Sequence, residues 1–437
     1  MTRKTKTKIL LLFSLCIFSV FSVLLCFKYF NIEFLKHRDT QNTEKIQESG
    51  GEREESSVVT CFQHGKVLRN HQFIQEDLWV KNGKIVAPQA HATHSIDATG
   101  LWVVPGFIDL QLNGAFGVDF TGSPERLLEA SKQLSKYGVT SFLPTVITSS
   151  EERYKQVLPV LQEFVGNTDG AEVLGLHLEG PFIHHEKKGC HNASSVAISE
   201  ASFSNALKRY GALDGVRLVT LAPELAGASE LIYTLNKQGI VVSAGHTTAT
   251  SEQLQDAQSS GLKMVTHLFN AMPPLLHREP GMIGEVLSNQ NLFYSIIVDG
   301  IHIHPQVVRF AWSLNPSKMI LVTDAIGAMG CESGSYYFAG MEIEVNDDSA
   351  RLAGTNTLAG SLLTMDAAIR NLQVFTGCSL VEAVEAATLK PAQLLGIAGR
   401  KGTLNIGADA DITLLTPTCH VQSCYQGHRL WTPAKEQ

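Results

Sequence analysis

PGFIDLQLNG, residues 105–114, sets an apolar run (Phe107, Ile108, Leu110, Leu112) against three polar side chains at alternate positions, Asp109, Gln111 and Asn113. It reads as a buried strand running into a turn. Further strand candidates follow at 139–145, 172–178, 216–222, 240–245, 263–269, 293–299 and 318–324. They are apolar on both faces, as parallel strands covered by helices should be. Helical patterns lie between them, the first opening with Ser123 as N-cap and Pro124 as first helical residue and stopping at Gly138. Eight strand–helix units predict a (β/α)8 TIM-like barrel over 105–400, for which about 250 residues is typical. A doubly wound open sheet is the alternative. No G-x-G-x-x-G or phosphate loop follows the first strand, which counts against it.

Outside this middle the chain is rich in short strand patterns. Residues 58–104 contain Lys81-Asn82-Gly83-Lys84 between apolar alternations, the signature of a tight hairpin. Residues 401–437 have the same character, so the two segments are expected to meet in one small β-sandwich domain. With 437 residues, 18% charged and 44% apolar, the chain is long enough for one catalytic domain and a satellite. A formal net charge of -7 gives no reason to expect nucleic acid as a partner. The eight cysteines are scattered with no C-x-x-C pair, a usage resembling that of a protein from a reducing compartment.

The N-terminus is a separate problem. A basic flank, 1–8, carries Arg3, Lys4, Lys6 and Lys8, and an uncharged run over 9–27 follows it. That run is long enough to cross a hydrocarbon core of roughly 30 Å, so residues 9–30 are expected to form a single-pass membrane anchor. No small-x-small cleavage site follows it. Lys28, Lys36, Arg38 and Lys45 lie beyond it, so charge bias leaves the orientation open. Residues 31–57 are polar and read as a linker.

Barrel enzymes carry their chemistry at the C-terminal ends of the strands. Those ends hold His177 and Glu179, then His246, His267, Asp299 with His302 and His304, and finally Asp324. Each has a bland reading alone: a hydrogen-bonded histidine, a cap, an ion-pair partner. Together, one carboxylate and two histidines with an aspartate opposite suit a catalytic Zn²⁺ site of three protein ligands and one open position. The same oxygen and imidazole donors leave Fe²⁺, Co²⁺ and Mn²⁺ open.

LEGPF, AGHTTA, THLFNAMPP, HREPG, VDG-x-H and LVTDA occur in this order, and the chain from about 58 to 435 resembles the N-acetylglucosamine-6-phosphate deacetylases of the amidohydrolase superfamily. The resemblance implies that Glu179, His246 and His267 hold a divalent metal. It makes Asp324 the general base, taking a proton from the attacking water and passing it to the leaving amine, and His302 the partner of the acetamide carbonyl. Superfamily members with two metals carry a His-x-His pair at the end of the first strand, where this chain has Gln111 and Asn113. Like family members with these two amides, it is expected to work with one ion, the amides positioning water or a substrate hydroxyl.

Asn270, Ala271 and Arg278 are expected to face the substrate phosphate, with Arg278 reaching in from a neighbouring subunit of a homodimer and His277 assisting. His191, in KKGCHN, is the expected sugar contact, while Lys187 and Lys188 read as a solvated pair. The implied reaction is hydrolysis of N-acetyl-D-glucosamine 6-phosphate to D-glucosamine 6-phosphate and acetate, which favours a catalytic domain facing the cytosol. Two other readings compete: the same barrel acting on another N-acyl sugar or a cyclic amide, and a membrane-tethered scaffold without activity. A neutral substrate would leave Arg278 without a partner, and the intact set of site residues counts against the scaffold.

Overall fold

The computed structural model describes residues 58–197, 200–346 and 348–433. At its centre eight parallel strands run in chain order around a barrel: Phe107–Leu112, Val139–Ile147, Leu176–Glu179, Val216–Leu221, Val241–Ala244, Met264–Val265, Phe293–Ile296 and Met319–Leu321. All but the seventh, whose Phe293 is half-buried, are buried along their whole length except Arg217, because helices cover the outer face and side chains fill the inside. The ring closes where Leu112 bridges Ala325 in parallel, Asn113 N donates to Ala325 O and Asp324 N donates to Gln111 O.

Several expected strands are shorter in the structure, and for one reason. The backbone turns into the left-handed region just where the polar residues begin, at His246 (φ 50), His267 (φ 33) and Asp324 (φ 49). Strands five, six and eight therefore stop two or more residues before those side chains, which places three left-handed residues at the rim. The expected strand 172–178 is broken into Glu172–Val173 and Leu176–Glu179, with Gly175 at φ 146 between them. The first helical unit begins as a 3-10 turn, Pro124–Arg126, before the α-helix Leu127–Lys136. Ser123 does not cap it; its hydroxyl donates to Asp119 O instead. Gly138 ends the unit at φ 82, where an added Cβ would lie 2.7 Å from the Phe107 ring.

The two ends of the described chain build a pair of sheets. Asn82 (φ 50) and Gly83 (φ 70) make the tight turn between Leu78–Lys81 and Lys84–Val86, in a four-stranded sheet. A six-stranded sheet joins N- and C-terminal strands, Ile412–Leu415 pairing antiparallel with Trp102–Pro105. Phe62, Leu78 and Val80 from the first sheet pack on Val67, Val103 and Ile412 from the second. A further antiparallel sheet after the eighth barrel strand (Gly334–Phe338, Met341–Val345, Ala350–Leu352) went unseen in the sequence pattern. Its Phe338, Ile343 and Ala350 pack on Ile147 and Ile326, fastening it over the barrel mouth.

The expected fold needs one correction. Among the described residues no helix is long and apolar enough to cross a membrane, and the architecture they show is a barrel with an added sheet domain. The stretch 9–30 that was expected to supply one lies outside the described residues.

Candidate metal centre and active site

A cleft of ≈ 320 Å³ opens at the C-terminal ends of the barrel strands. Glu179 enters it from strand three, His246 from the turn after strand five, and His267 from the turn after strand six. One ligand atom from each of the three lies within 4.8 Å of the others, the one such grouping among the described residues. Glu179 Oε1 is 3.2 Å from His246 Nε2 and 3.1 Å from His267 Nε2, and the two Nε2 atoms are 3.0 Å apart. His246 Nδ1 donates to Lys187 O at 2.8 Å, which leaves Nε2 with a bare lone pair in the neutral ring. With His246 Nε2 unprotonated, its lone pair faces the Glu179 carboxylate, an arrangement that repels unless a proton or a metal cation sits among the three side chains. The donor chemistry fits a divalent metal.

Burial alone would raise the Glu179 carboxyl, but the hydrogen bonds and charges of His246 and His267 prevail and hold it well below the usual carboxylate range. Gln111 Nε2 donates to Glu179 Oε1 at 2.9 Å, steadying the carboxylate from below. Asp324 faces the same cleft. Burial pushes its carboxyl up to about 8, with the Glu179 charge acting in the same direction. Asn113 Nδ2 holds one Asp324 oxygen at 2.7 Å. The two amides of PGFIDLQLNG therefore support the carboxylates across the barrel. The sequence suggests water or a substrate hydroxyl as a partner for these amides; in the structure each donates to a carboxylate.

His302 lines the cleft, its ring fixed by Asp299, whose Oδ2 lies 2.6 Å from His302 Nδ1 while Oδ1 accepts from the backbone of Ile301 and His302. Asn270 and Ala271 line the cleft as well. His191 is buried, 3.8 Å from Glu179 Oε2, with Nδ1 paired to Thr148 Oγ1. Burial and the neighbouring His246 push it down to about 3, so it is a neutral ring packed against the ligand trio.

Other candidates are elsewhere. His277 and Arg278 are exposed and do not line this cleft. His177 lies in the core between Thr145 and Thr220, pushed down to about 4 by burial. His304 caps the helix Pro305–Leu314. Lys187 was missed: its carbonyl accepts from His246 and its side chain lines the cleft. Phe338, from the added sheet, was missed too. The adjacent lysines gave a plausible solvated pair, and nothing local signals that one of them turns inward.

Residues 102–427 match the Amidohydrolase family. N-acetylglucosamine-6-phosphate deacetylase of Bos taurus is 43% identical over 400 residues, covering 87% of this chain and 98% of that protein. The Bacillus subtilis deacetylase is 37% identical over 326 residues, covering 73% and 82%. Among solved structures, a mutant N-acetyl-D-glucosamine-6-phosphate deacetylase from Mycobacterium smegmatis, in complex with N-acetyl-D-glucosamine-6-phosphate, superposes with a TM-score of 0.78 at 29% identity. It covers 86% of this chain and 100% of its own.

The expectation of a single-pass membrane protein is corrected by the same findings. The match to these deacetylases takes in nearly all of the Bos taurus protein, and no described helix is long and apolar enough to span a bilayer. From the family match and the identity over most of its length, the chain belongs to the N-acetylglucosamine-6-phosphate deacetylases of the amidohydrolase family.

Proposed function

We propose that the cleft hydrolyses the acetamide of N-acetyl-D-glucosamine 6-phosphate to D-glucosamine 6-phosphate and acetate, a step of amino-sugar breakdown. The convergence of Glu179, His246 and His267 beside Asp324 carries this reading. These three residues would hold one divalent ion, Zn²⁺ first by its liking for imidazole and carboxylate together, with Fe²⁺, Co²⁺ and Mn²⁺ acceptable to the same donors. Bound there, the ion supplies a water acidified to a pKa of about 7 and a Lewis acid for the carbonyl.

The protein groups do the rest. Asp324 takes a proton from the attacking water and hands it to the amine nitrogen as the C–N bond breaks. Asn113 fixes one carboxylate oxygen and leaves the other for this traffic. His302, its Nδ1 held by Asp299, presents Nε2 to the carbonyl oxygen that gains charge. Gln111 and Asn113 place amides where a second ion would need stronger ligands, in keeping with a one-ion site.

Asn270 and Ala271 would face the sugar phosphate, and His191 the sugar. Arg278 is exposed and away from its own cleft, as a residue donated to a second copy's cleft would be, with His277 beside it; this supports a homodimer. Acetate release from the phosphorylated sugar, measured for the purified protein and a Glu179→Ala variant, tests the reading. Full activity in the variant rejects the assignment.

A further inference from the structure

We propose that Lys187 binds the substrate phosphate from within the same subunit and sets the preference for a phosphorylated over a plain amino sugar, an inference that rests on the deacetylase reading above. The charge of the cleft favours such a group, beside the divalent ion and the second copy's Arg278 proposed above. Glu179, Glu186 and Asp324 line it, and a sugar phosphate brings in two further negative charges at neutral pH. Among the described residues lining the cleft, Lys187 is the one lysine or arginine.

Its geometry points the same way. His184 N donates to His246 O and His246 Nδ1 donates to Lys187 O, so the backbone of this loop is strapped to the candidate metal ligand. The Lys187 side chain then crosses to the turn after strand six, where Nζ donates to Met272 O at 3.3 Å. No described carboxylate pairs with it. Two residues before Met272, the Asn270 Nδ2 donor is buried with no partner. A cation satisfied only by a carbonyl and an unpaired amide donor thus share one end of the cleft, and a phosphate offers oxygens to both. Because His246 uses only the backbone carbonyl of Lys187, the side chain can be changed without removing that acceptor.

The test compares acetate release from N-acetylglucosamine 6-phosphate and from plain N-acetylglucosamine, using full-length wild type, Lys187→Met, Lys187→Arg and Lys188→Met at matched metal content. The ratio of kcat/KM for the two sugars should fall about tenfold or more in Lys187→Met, as loss of a charge-assisted contact does. Lys187→Arg should keep most of it, and Lys188→Met all of it. An unchanged ratio in Lys187→Met, or an equal loss on both sugars, overturns the proposal, the latter marking a purely structural role. If wild type releases acetate from neither sugar, the deacetylase reading fails by itself. Calorimetry with glucose 6-phosphate then decides the anion site: weaker binding to Lys187→Met supports it, equal binding overturns it.

Discussion

Asn113 Nδ2 donates to Asp324 Oδ1 at 2.7 Å, across the seam where the first barrel strand meets the chain after the eighth. A carboxylate can only accept, so the Asn113 amide must turn its nitrogen toward it, and one Asp324 oxygen is held in place. Replacing Asn113 by Leu should lower kcat by about 10- to 100-fold with little change in KM, since it frees the base without touching the phosphate end. Asp324→Asn should cost more, on the order of 10²- to 10⁴-fold in kcat, with bound metal retained. Steady-state acetate release and metal content separate the two effects; loss of metal in Asp324→Asn would contradict the role.

Gln111 supports Glu179 in the same manner. Gln111→Ala removes the 2.9 Å hydrogen bond on Oε1 and should weaken metal affinity by about 10- to 100-fold, as loss of a group orienting a ligand does. A competition titration against a chelating dye reads this directly, and unaltered affinity refutes it.

Chelation should abolish acetate release and lower Tm, because an ion that binds only the folded protein stabilises it by mass action. Zn²⁺ should restore both and Mg²⁺ neither, given the two imidazole donors. Recovery with Mg²⁺ alone would speak against a site built on His246 and His267.

Asp109, outside the cleft lining but hydrogen-bonded to Thr323 next to Asp324, offers a pH signature. Burial raises its carboxyl from 3.8 to about 7, only partly offset by hydrogen bonds from Thr323 and Gln111. A folded pKa above the unfolded one means the folded state binds the proton more tightly. Its stabilising contribution is full below about pH 4 and lost as pH rises through about 7. Between about pH 5 and pH 8 the Tm of wild type should therefore fall relative to that of Asp109→Asn. Parallel Tm profiles would dismiss the effect.

Gly138→Ala should destabilise the barrel by about 1–3 kcal/mol, since the position combines φ 82 with a Cβ placed 2.7 Å from the Phe107 ring. Urea unfolding measures it.

Much of this was legible in the chain itself. Two-sided apolar runs located the barrel strands, Asn82-Gly83 located a hairpin, and polar residues at strand ends located the site, because periodicity and turn sterics are local properties. Distant pairing was not legible. Nothing near Gln111 or Asn113 says that each meets a carboxylate, 68 and 211 residues away. Nor does His177 differ locally from His246, although one is a core residue wedged between threonines and the other faces Glu179. Lys187 reads like its neighbour Lys188 until His246 straps its backbone and turns the side chain inward. The sequence alone determined which segments become barrel strands and which side chains stand at their ends, though not the added sheet over 334–352. Only barrel closure, with the left-handed turns at His246, His267 and Asp324, decided which of those side chains meet, because convergence depends on how eight strands register around a ring.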